Sequence, residues 1–459
     1  RDLRLSRGLG DVYKRQHLRC KRMPLSLQKN GEDFQWPEEP VRLLSGGNPL
    51  QARWSISAKP HAWWWWEDGV AFRVDQNGQC SCQPTNAPLQ DFAEFREDFP
   101  GIFTPSPGGA PFAGGWIGFL GYELGATLDP AFAQFAPPPG LQAAFAWCPE
   151  LEIEDRLKNP SDFDTHPKHG DIWGDVDPQA KDQGSDLCAS EWRERVGAVL
   201  HAIGQGDCYQ VNLTRREYRS ITGPLGPVVR ALLETGQPRH GADLPLPGGR
   251  RIVSVSPESF LVRRGDQLLT RPIKGTRPSD GDPDELLNSA KDAAELHMIV
   301  DLLRNDLGRV AVPGKVRVRE PRAIERHATV LQTVAEVEAT LRPGIGFEDI
   351  MAATFPCGSV TGAPKIMAMH QIDQLEASPR GPYCGAIGWL GHEDFEFSVA
   401  IRTAFFEPEA NGHRLTWGTG GGIVADSDPD EEWYETQTKH RVLDLALAPW
   451  TDQTTHPLP

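Results

Sequence analysis

The chain lacks the features that mark membrane-spanning, secreted and nucleic-acid-binding proteins. No apolar run approaches the ~20 residues that cross a bilayer, and no secretory apolar segment lies near the start. Acidic residues outnumber basic ones, 63 to 47, which gives a net charge of −16. Proteins that bind nucleic acid generally, or that adhere to anionic lipid, need the opposite balance. We therefore expect no nucleic-acid partner and no membrane attachment, whereas a small anionic substrate can still bind at a locally basic site.

Cysteine is scarce as well. Eight cysteines are scattered over 459 positions, and the closest pair, Cys80 and Cys82, lacks the C-x-x-C spacing of a zinc site. Free thiols of this kind are typical of a reducing compartment. We therefore expect a cytoplasmic protein without a disulfide framework.

The composition divides the chain into five segments. Residues 1–22 are basic, lack a hydrophobic period and are expected to be a cloning-derived, sequencing-derived or disordered segment. Residues 23–154 form the next segment, in which about 40–150 alternate short apolar runs with Gly and Pro turns, whereas 155–188 are polar and are predicted to be a mobile insert or linker. Residues 189–450 combine strands with long helices, and 451–459 form a tail. Strands mixed with helices, without strict β-α-β alternation, predict an α+β fold.

Local patterns predict individual elements. The four tryptophans at 63–66 are predicted to form a buried strand that enters a hairpin. Residues 284–307 are predicted as one long helix, and 330–341 as a further apolar-periodic helix. A single strand is predicted over 397–406. The final helix is predicted over 429–447, where a proline occupies its first turn.

Several polar side chains lie in apolar surroundings and have the chemistry of a reactive site. Glu258 lies between two strand-like runs and would act as a general acid if burial raised its pKa. Lys274 precedes Gly275, and a desolvated lysine at this turn would be a nucleophile. Arg402 interrupts an apolar strand and suits a bidentate bond to a carboxylate. Each also has an ordinary interpretation: a turn carboxylate, a lysine that reaches solvent and an internally paired arginine.

The last third of the chain adds possible anion and metal ligands. Residues 418–422 are predicted as a glycine turn whose amides point at an anion, although the segment lacks the Lys-Ser/Thr ending of a P-loop. Glu432, Glu435 and Lys439 share one face of the final helix. Glu295 lies on the inward face of its helix and needs a cation or metal partner. Carboxylates from two helices suit Mg²⁺, but the same pattern fits a tight turn and a solvated salt-bridge stripe.

Taken together and in order, these segments resemble the chorismate-utilising enzyme family from about residue 40 to residue 447. The resemblance implies two large, facing antiparallel β-sheets with helices packed outside, an active site between them, chorismate as substrate and Mg²⁺ as cofactor. It implies that 23–154 is a region like the N-terminal part of anthranilate synthase component I and that 189–450 is the chorismate-binding catalytic region. The matching segments are 206–213, 256–258, 272–276, 295–306, 358–365, 418–422 and 426–439.

The resemblance also implies a role for each residue. Lys274 is implied as the catalytic nucleophile, and Glu258 as the acid that assists loss of the ring hydroxyl. Glu295 and Glu435, with Glu432 as a further candidate, would hold Mg²⁺ against the ring carboxylate. The residues implied to bind the substrate or shape its pocket are Gln210, Thr361, Lys365, Tyr383, Arg402, Gly420, Gly421, Gly422 and Lys439.

Two positions distinguish the reactions of family members. Gln210 stands where water-adding members have a lysine base, and an amide cannot act as a base. Lys274 stands where anthranilate-forming members have alanine, which favours conversion of chorismate to 4-amino-4-deoxychorismate. Two alternatives stay open: amination with pyruvate elimination to anthranilate, and a non-catalytic scaffold that binds tryptophan or activates a glutaminase. Leu44 and Ser45 resemble the start of a tryptophan-binding motif found in some members.

The source of ammonia is also implied by the resemblance. The sequence contains no cysteine nucleophile elbow with a following His-x-Glu, which a glutaminase would require. We therefore expect ammonia to come from a separate glutaminase subunit in a heterodimer. A separate lyase would convert the product to 4-aminobenzoate for folate biosynthesis.

Overall fold

The computed structural model describes residues 37, 39–45, 53–99, 101, 110, 112–132, 134–135, 137–156, 177–278, 281–326 and 330–451. The predicted terminal segment 1–22 and nearly all of the tail 451–459 lie outside these residues. The strands are β1 (Val41–Ser45), β2 (Trp54–Ala58), β3 (Ala62–Glu67), β4 (Val70–Val74), β5 (Cys80–Pro84), β6 (Gly115–Leu120), β7 (Leu141–Cys148), β8 (Glu152–Asp155), β9 (Gln179–Ser185), β10 (Gln210–Thr222), β11 (His240–Leu246), β12 (Arg250–Ser256), β13 (Ser259–Arg264), β14 (Gln267–Arg271), β15 (Ile273–Pro278), β16 (Ala311–Arg326), β17 (Val330–Leu341), β18 (Gly362–Ala363), β19 (Ala386–Leu390), β20 (Phe395–Val399), β21 (Thr403–Glu409) and β22 (Gly412–Ile423). The α-helices are α1 (Pro88–Arg96), α2 (Ala189–Gln205), α3 (Leu225–Gly236), α4 (Pro283–Asn288), α5 (Ala290–Gly308), α6 (Phe347–Thr354), α7 (Lys365–Leu375) and α8 (Pro429–Leu447).

Two antiparallel sheets form the centre of the molecule. In the described residues, the ten-stranded sheet has the order β18-β10-β22-β21-β12-β11-β1-β2-β8, with β9 beside β10. The twelve-stranded sheet has the order β15-β17-β14-β13-β20-β19-β6-β7-β3-β4-β5, with β16 beside β17. Neighbouring strands pair antiparallel throughout.

The tryptophan run in β3 shows how the layers pack. Successive side chains of a strand point to opposite faces of its sheet. Trp63 and Trp65 therefore enter the core between the two sheets, where they join Ile56 of β2. Trp64 and Trp66 enter the core on the other face, which α1 covers. The predicted buried strand is confirmed, and the two sheets face each other across an apolar layer.

Helices cover the outer faces of the sheets. Leu232 of α3 and Leu443 of α8 pack with Trp417 on the ten-stranded sheet. Leu303 of α5 packs with Val337 in the core on the twelve-stranded sheet. This architecture confirms the α+β fold of two facing antiparallel sheets with helices packed outside. Among the described residues, no helix is long and apolar enough to cross a membrane.

The predicted helix over 330–341 is wrong, because this segment is strand β17. Its odd-numbered positions from 331 to 341 are all buried, and Glu336, Glu338 and Thr340 between them are partly exposed. That alternation has a period of two, which is the signature of a strand. The two-residue period is hard to recognise in the sequence, because the alanines and valines of this segment suit either a helix or a strand.

The predicted helix over 284–307 is interrupted near its start. The backbone leaves helical geometry at Ser289, where ψ is 110°, so α4 ends and α5 begins there. The Ser289 hydroxyl accepts a hydrogen bond from the amide of Asp292 at 3.2 Å and caps the second helix. An N-cap serine satisfies one of the free amides of a helix terminus.

Three further segments differ from their predictions. The strand predicted over 397–406 is two strands, β20 and β21, since the chain turns between them at Arg402 with φ at 49°. Residues 418–422 lie inside β22 rather than in a turn. Within the predicted linker 155–188, residues 157–176 lie outside the described part, whereas β9 pairs with β10 and belongs to the ten-stranded sheet.

Candidate active site

Two chain connections between the sheets meet at the candidate site. Glu258 lies on the connection from β12 in the ten-stranded sheet to β13 in the twelve-stranded sheet. Arg402 lies on the return connection from β20 to β21. The amide of Val399 donates to the carbonyl of Glu258 at 3.0 Å, and the amide of Val255 donates to the carbonyl of Arg402 at 2.9 Å. The paired connections hold an acid and a cation where the two sheets join.

The Glu258 carboxyl group is buried, with 7% of the residue exposed. Burial raises its pKa, while a hydrogen bond from Ser359 and the charges of Lys274 and Lys439 oppose that rise. Its Oε1 atom has no hydrogen-bond partner among the described residues. A buried carboxyl group with a raised pKa and one free oxygen is suited to donate a proton.

The charge of Lys274, on the edge strand of the twelve-stranded sheet, acts on this carboxyl group and lowers its pKa. Lys274 lies in β15, and its carbonyl accepts a hydrogen bond from the Thr333 hydroxyl on β17. The next residue, Gly275, has φ at 68° and stands at a break in the strand register. A Cβ at Gly275 would lie 2.9 Å from Cγ of Asp292 on α5, so a larger residue would displace the strand edge that carries the lysine.

Arg402 is a desolvated cation. Burial lowers its pKa, and no acidic side chain in the described part of the chain offsets that effect. An arginine removed from water is stabilised by a carboxylate, which it binds with two parallel hydrogen bonds. The position therefore suits an anionic ligand.

The glycine segment of β22 presents backbone amides to an open edge. Asn212 and Thr214 of β10 stand opposite Gly422 and Gly420, yet their amides bond away from β22, to the Thr361 carbonyl and a Glu376 oxygen. Because antiparallel pairs alternate, the amides of Gly420 and Gly422 also point away from the β10–β22 ladder. The pairing of β22 with β21 ends at Trp417, so these two amides face an edge beside which the described residues place no further strand.

Gly421 is different from its two neighbours. Its backbone groups pair with Leu213 in the ladder, so its amide is not available to a ligand, contrary to the prediction for the whole glycine segment. Lys439 lies beside the open edge, since its Nζ atom donates to the Gly420 carbonyl at 2.9 Å. The same Nζ atom lies 2.5 Å from Oε1 of Glu435.

Gln210 lies below the end of the glycine segment. The residue is fully buried, and neither polar atom of its amide has a hydrogen-bond partner among the described residues. A Cβ at Gly422 would lie 2.9 Å from its Nε2 atom. A buried amide without partners costs free energy that a polar ligand would recover.

Two of the three predicted metal-binding carboxylates, Glu432 and Glu435, lie beside the same glycine, Gly421. A Cβ at Gly421 would lie 3.1 Å from Oε2 of Glu432 and 3.4 Å from Oε1 of Glu435. Glu432 is buried and accepts a hydrogen bond from Ser427 at 2.6 Å, whereas Glu435 is exposed. Glu295 is half-buried on α5. Within the described ranges, no three His, Cys, Asp or Glu side chains form a ready metal cage.

Thr361 and Lys365 have structural contacts instead of free polar groups. The Thr361 hydroxyl donates to the carbonyls of Cys357 and Gly358 at 3.1 and 3.2 Å. The Lys365 Nζ atom donates to Asp306 at 2.6 Å and to the Thr354 carbonyl at 3.0 Å. Both side chains therefore stabilise the segment around the start of α7, and their role in shaping a substrate pocket stays a prediction.

Tyr383 forms part of the floor under β22. A Cβ at Gly418 would lie 2.2 Å from ring atoms of Tyr383, so strand and ring are in close contact. The Arg216 guanidinium lies 5.5 Å from the ring centroid. Glu376 binds Arg216 at 3.0 Å and Arg380 at 2.6 Å, which completes a buried ion cluster beneath the ring.

Sequence reasoning missed this ion cluster and the Ser359 contact with Glu258. Arg216 is 1% exposed although it is charged, and the available signal was a pair of adjacent arginines within a strand-like segment. Ser359 lies in segment 358–365, in which only Thr361 and Lys365 have a predicted role. The predicted tryptophan pocket stays a prediction, since Leu44 is buried in β1 and residues 46–52 lie outside the described residues.

The chain matches the family described as chorismate binding enzyme over residues 58–444, and it belongs to that family. The match spans both sheets and the connections that carry Glu258 and Arg402. The resemblance inferred from the sequence is confirmed.

Individual relatives carry two different names. Aminodeoxychorismate synthase component 1 of Salmonella typhimurium is 34% identical over 395 residues, which cover 81% of this chain and 86% of that protein. Anthranilate synthase component 1 of Streptomyces coelicolor is 34% identical over 386 residues, which cover 75% of this chain and 74% of that protein. The solved structure of anthranilate synthase component I from Streptococcus pneumoniae is 25% identical, with a TM-score of 0.69 over 93% of this chain and 97% of that one. Sequence identity alone does not choose between the two reactions.

Proposed function

We propose that the chain converts chorismate and ammonia to 4-amino-4-deoxychorismate. The observation that carries the proposal is the placement of Lys274 and Lys439 close enough to influence the pKa of the buried Glu258 carboxyl group. A lysine near a carboxyl group whose pKa is raised by burial combines a nucleophile with an acid. The family relatives named aminodeoxychorismate synthase component 1 support the same reaction.

Substrate binding follows from the charge of chorismate, which has two carboxylates. Arg402 suits one of them, because it is a desolvated guanidinium without an acidic neighbour in the described residues. The amides of Gly420 and Gly422, with Lys439 beside them, suit the other. The unpartnered amide of Gln210 would bind a polar group of the same ligand.

The proposed reaction has two displacements. The Lys274 amine adds to ring C2 while the C4 hydroxyl leaves, and Glu258 gives that hydroxyl its proton so that water departs. Ammonia then adds at C4, and the bond between C2 and Lys274 breaks. Lys274 leaves C2 as the free amine, the extra proton on the newly added C4 nitrogen returns to Glu258, and the enolpyruvyl group is retained on the product.

The carboxylates fit Mg²⁺ as a cofactor. Mg²⁺ keeps several waters and needs few protein oxygens, so Glu435 with one further carboxylate would suffice when a substrate carboxylate completes the site; Glu432 lies beside the same glycine as Glu435. We propose Glu435 and Glu295 as ligands, with Glu432 as a further candidate. The ion would neutralise the ring carboxylate and orient the ring, while every proton transfer belongs to side chains of the protein.

Ammonia is proposed to come from a separate glutaminase subunit that forms a heterodimer with this chain. The printed name "component 1" of the relatives supports a partner component. A separate lyase would act on the product in 4-aminobenzoate and folate biosynthesis, and the cytoplasm is the proposed location.

The test is to incubate the purified chain with chorismate, Mg²⁺ and ammonium salt and to identify the product by mass spectrometry. We expect 4-amino-4-deoxychorismate without pyruvate. Anthranilate with an equal amount of pyruvate would replace the proposal by anthranilate formation. Absence of turnover, even with a glutaminase subunit added, would refute both reactions and favour a non-catalytic scaffold.

A further inference from the structure

The candidate ligands on α8 do not by themselves fix the position of that helix. Glu435 and Lys439 pair with each other, and their side chains are 49% and 41% exposed. Exposed ion pairs contribute little free energy. Glu432 is buried but bonds to Ser427, which lies just before the same helix. The placement of these side chains beside the glycine segment of β22 therefore depends on other contacts between α8 and the sheet.

One face of β22 meets successive turns of α8 in order. Alternate residues of a strand point to the same face, so Trp417, Thr419 and Gly421 lie on one side of β22. Trp417 packs with Leu443 in the same core. A Cβ at Gly421 would lie 3.4 Å from Oε1 of Glu435. Strand and helix thus run in opposite directions, and Thr419 lies between the apolar contact and the carboxylates.

The contact at Thr419 consists of buried hydrogen bonds. Its hydroxyl donates to the Thr436 carbonyl of α8 at 3.0 Å. Arg215 stands directly opposite Thr419 in the β10–β22 ladder, and its Nε atom donates to the Thr436 hydroxyl at 3.1 Å. That hydroxyl donates in turn to the Trp433 carbonyl at 2.8 Å. Arg215 and Thr436 are fully buried, so a cross-strand pair holds one residue of the helix in a place without water.

Arg215 is itself held on the sheet side. Its Nη1 atom donates to the Ser185 hydroxyl on β9 at 2.9 Å, and it forms an ion pair with Glu217 of β10. The guanidinium carbon lies 4.4 Å from the centroid of the Trp433 ring. A slide of α8 by one turn is a movement of about 5.4 Å. It would leave the buried donors of Arg215 and Thr419 without acceptors, which costs free energy. These bonds therefore favour one register of the helix.

We propose that Thr419 and Arg215 are positioning residues that set the register of α8 on β22 and so place the metal and anion ligands of that helix at the glycine edge. Glu435 immediately precedes Thr436, and Lys439 follows it by three residues, so both lie within one turn of the residue that is held. The inference rests on the proposed function for the identity of the bound groups, Mg²⁺ and a carboxylate of chorismate.

Thr419→Val removes the hydroxyl and keeps the branched shape of the side chain, whereas Thr419→Ser keeps the hydroxyl. Mn²⁺ serves as a paramagnetic probe for the Mg²⁺ site, and the free ion is measured by electron paramagnetic resonance with chorismate present and ammonia absent, so that no amination occurs. Groups that orient a metal ligand typically change metal affinity 10- to 100-fold, so we expect about tenfold weaker Mn²⁺ binding in Thr419→Val. Thr419→Ser should bind Mn²⁺ like the wild type.

Thr438→Val is the matched control on the same helix. Thr438 is exposed, and its hydroxyl donates to the Tyr434 carbonyl within α8 at 3.1 Å. The variant changes a threonine next to Lys439 without touching the contact with β22. Its Mn²⁺ affinity should equal that of the wild type.

Kinetics with ammonium salt separate positioning from simple loss of folded protein. The Mg²⁺ concentration for half-maximal rate should rise about tenfold in Thr419→Val. The value of kcat at saturating Mg²⁺ and chorismate should stay near that of the wild type, because the bound site contains the same reacting groups. A variant that was merely unstable would show a lower kcat and an unchanged Mg²⁺ requirement, and that result would overturn the inference.

Hydrogen exchange tests the register without metal or turnover. Backbone amides of α8 around Thr436 should exchange faster in Thr419→Val than in the wild type or Thr419→Ser. Thr436→Val, which removes the acceptor of Arg215, should have the same effect. Unchanged exchange with unchanged Mn²⁺ affinity in Thr419→Val would overturn the inference, and so would a Thr419→Ser variant as weak as Thr419→Val. A wild-type chain that binds no Mn²⁺ would overturn the link to the metal. An inactive wild-type chain whose Mn²⁺ binding still depends on the Thr419 hydroxyl would refute the proposed amination and leave the positioning role established.

Discussion

At the scale of single residues, burial decides which polar groups are reactive. Burial raises the pKa of Glu258 and lowers the pKa of Arg402, so in both residues it favours the neutral form. Lys365, by contrast, is neutralised by Asp306 at 2.6 Å. The motif residues therefore differ: Arg402 has no acidic partner in the described residues, whereas Lys365 is already paired.

The role of Lys274 gives the first prediction. Lys274→Ala should lower kcat with ammonia by about a thousandfold, since the loss of a covalent nucleophile typically has effects of this size. The measurement is chorismate consumption at saturating substrate. Lys315→Ala removes an exposed lysine from β16 and should retain full activity. Full activity in Lys274→Ala would rule out the covalent step.

Arg402 gives a prediction that separates substrate binding from folding stability. Arg402→Gln removes a charge-assisted bond to a carboxylate, so the KM for chorismate should rise about 10- to 100-fold. The fold should not be destabilised, because the lost charge has no acidic partner in the described residues. The control is Arg414→Gln, which breaks an exposed pair with Glu407 and should leave KM unchanged. An unchanged KM in Arg402→Gln would remove Arg402 from the substrate site.

At the scale of elements, strand β22 has two roles, one at its open edge and one in packing against Tyr383. Gly420 and Gly422 present amides to the open edge, and Gly418 packs on the Tyr383 ring. A strand can do both because its backbone amides lie in the plane of the sheet, whereas the Cβ position of each residue points out of that plane. The prediction of a glycine turn is wrong about the conformation, and the binding of an anion by the amides of Gly420 and Gly422 stays a prediction.

Gly418→Ala tests the contact between this strand and Tyr383. The new Cβ would lie 2.2 Å from the ring, so we expect a loss of about 1–3 kcal/mol in the free energy of unfolding. Gly197→Ala on α2 is the control, since a Cβ there meets nothing within 4 Å. It should stabilise the protein by about 1 kcal/mol. Equal urea midpoints for the two variants would contradict the packing described here.

At the scale of the whole molecule, a buried histidine lies where the sheets meet. His240 begins β11 in the ten-stranded sheet, and its Nδ1 atom lies 3.8 Å from Glu396 on β20 in the twelve-stranded sheet. Arg239 beside it binds Glu325 on β16 at 3.0 Å. Burial, together with Arg239 and Arg271, lowers the pKa of His240 from 6.5 to about 4, although Glu396 and Glu325 oppose this.

This pKa makes stability depend on pH. The unfolded chain binds a proton at His240 below pH 6.5 and the folded chain does so only near pH 4, so stability falls as the pH drops through that window. The full effect of such a shift is roughly 3 kcal/mol. Urea unfolding at pH 7.5 and pH 5 should show the loss in the wild type, and His240→Gln should reduce it. An equal loss in both proteins would assign it to other groups.

Composition and order of motifs already determined the family, the α+β class and the residue types of the site, because these depend on which side chains the chain contains. Two kinds of information required the folded molecule. Glu258 and Arg402 are more than a hundred residues apart, and only the crossing of the chain between two sheets makes their connections adjacent. The partners of Lys365 and the link from Ser359 to Glu258 are likewise products of packing, since local sequence does not state which distant group fills the space beside a side chain.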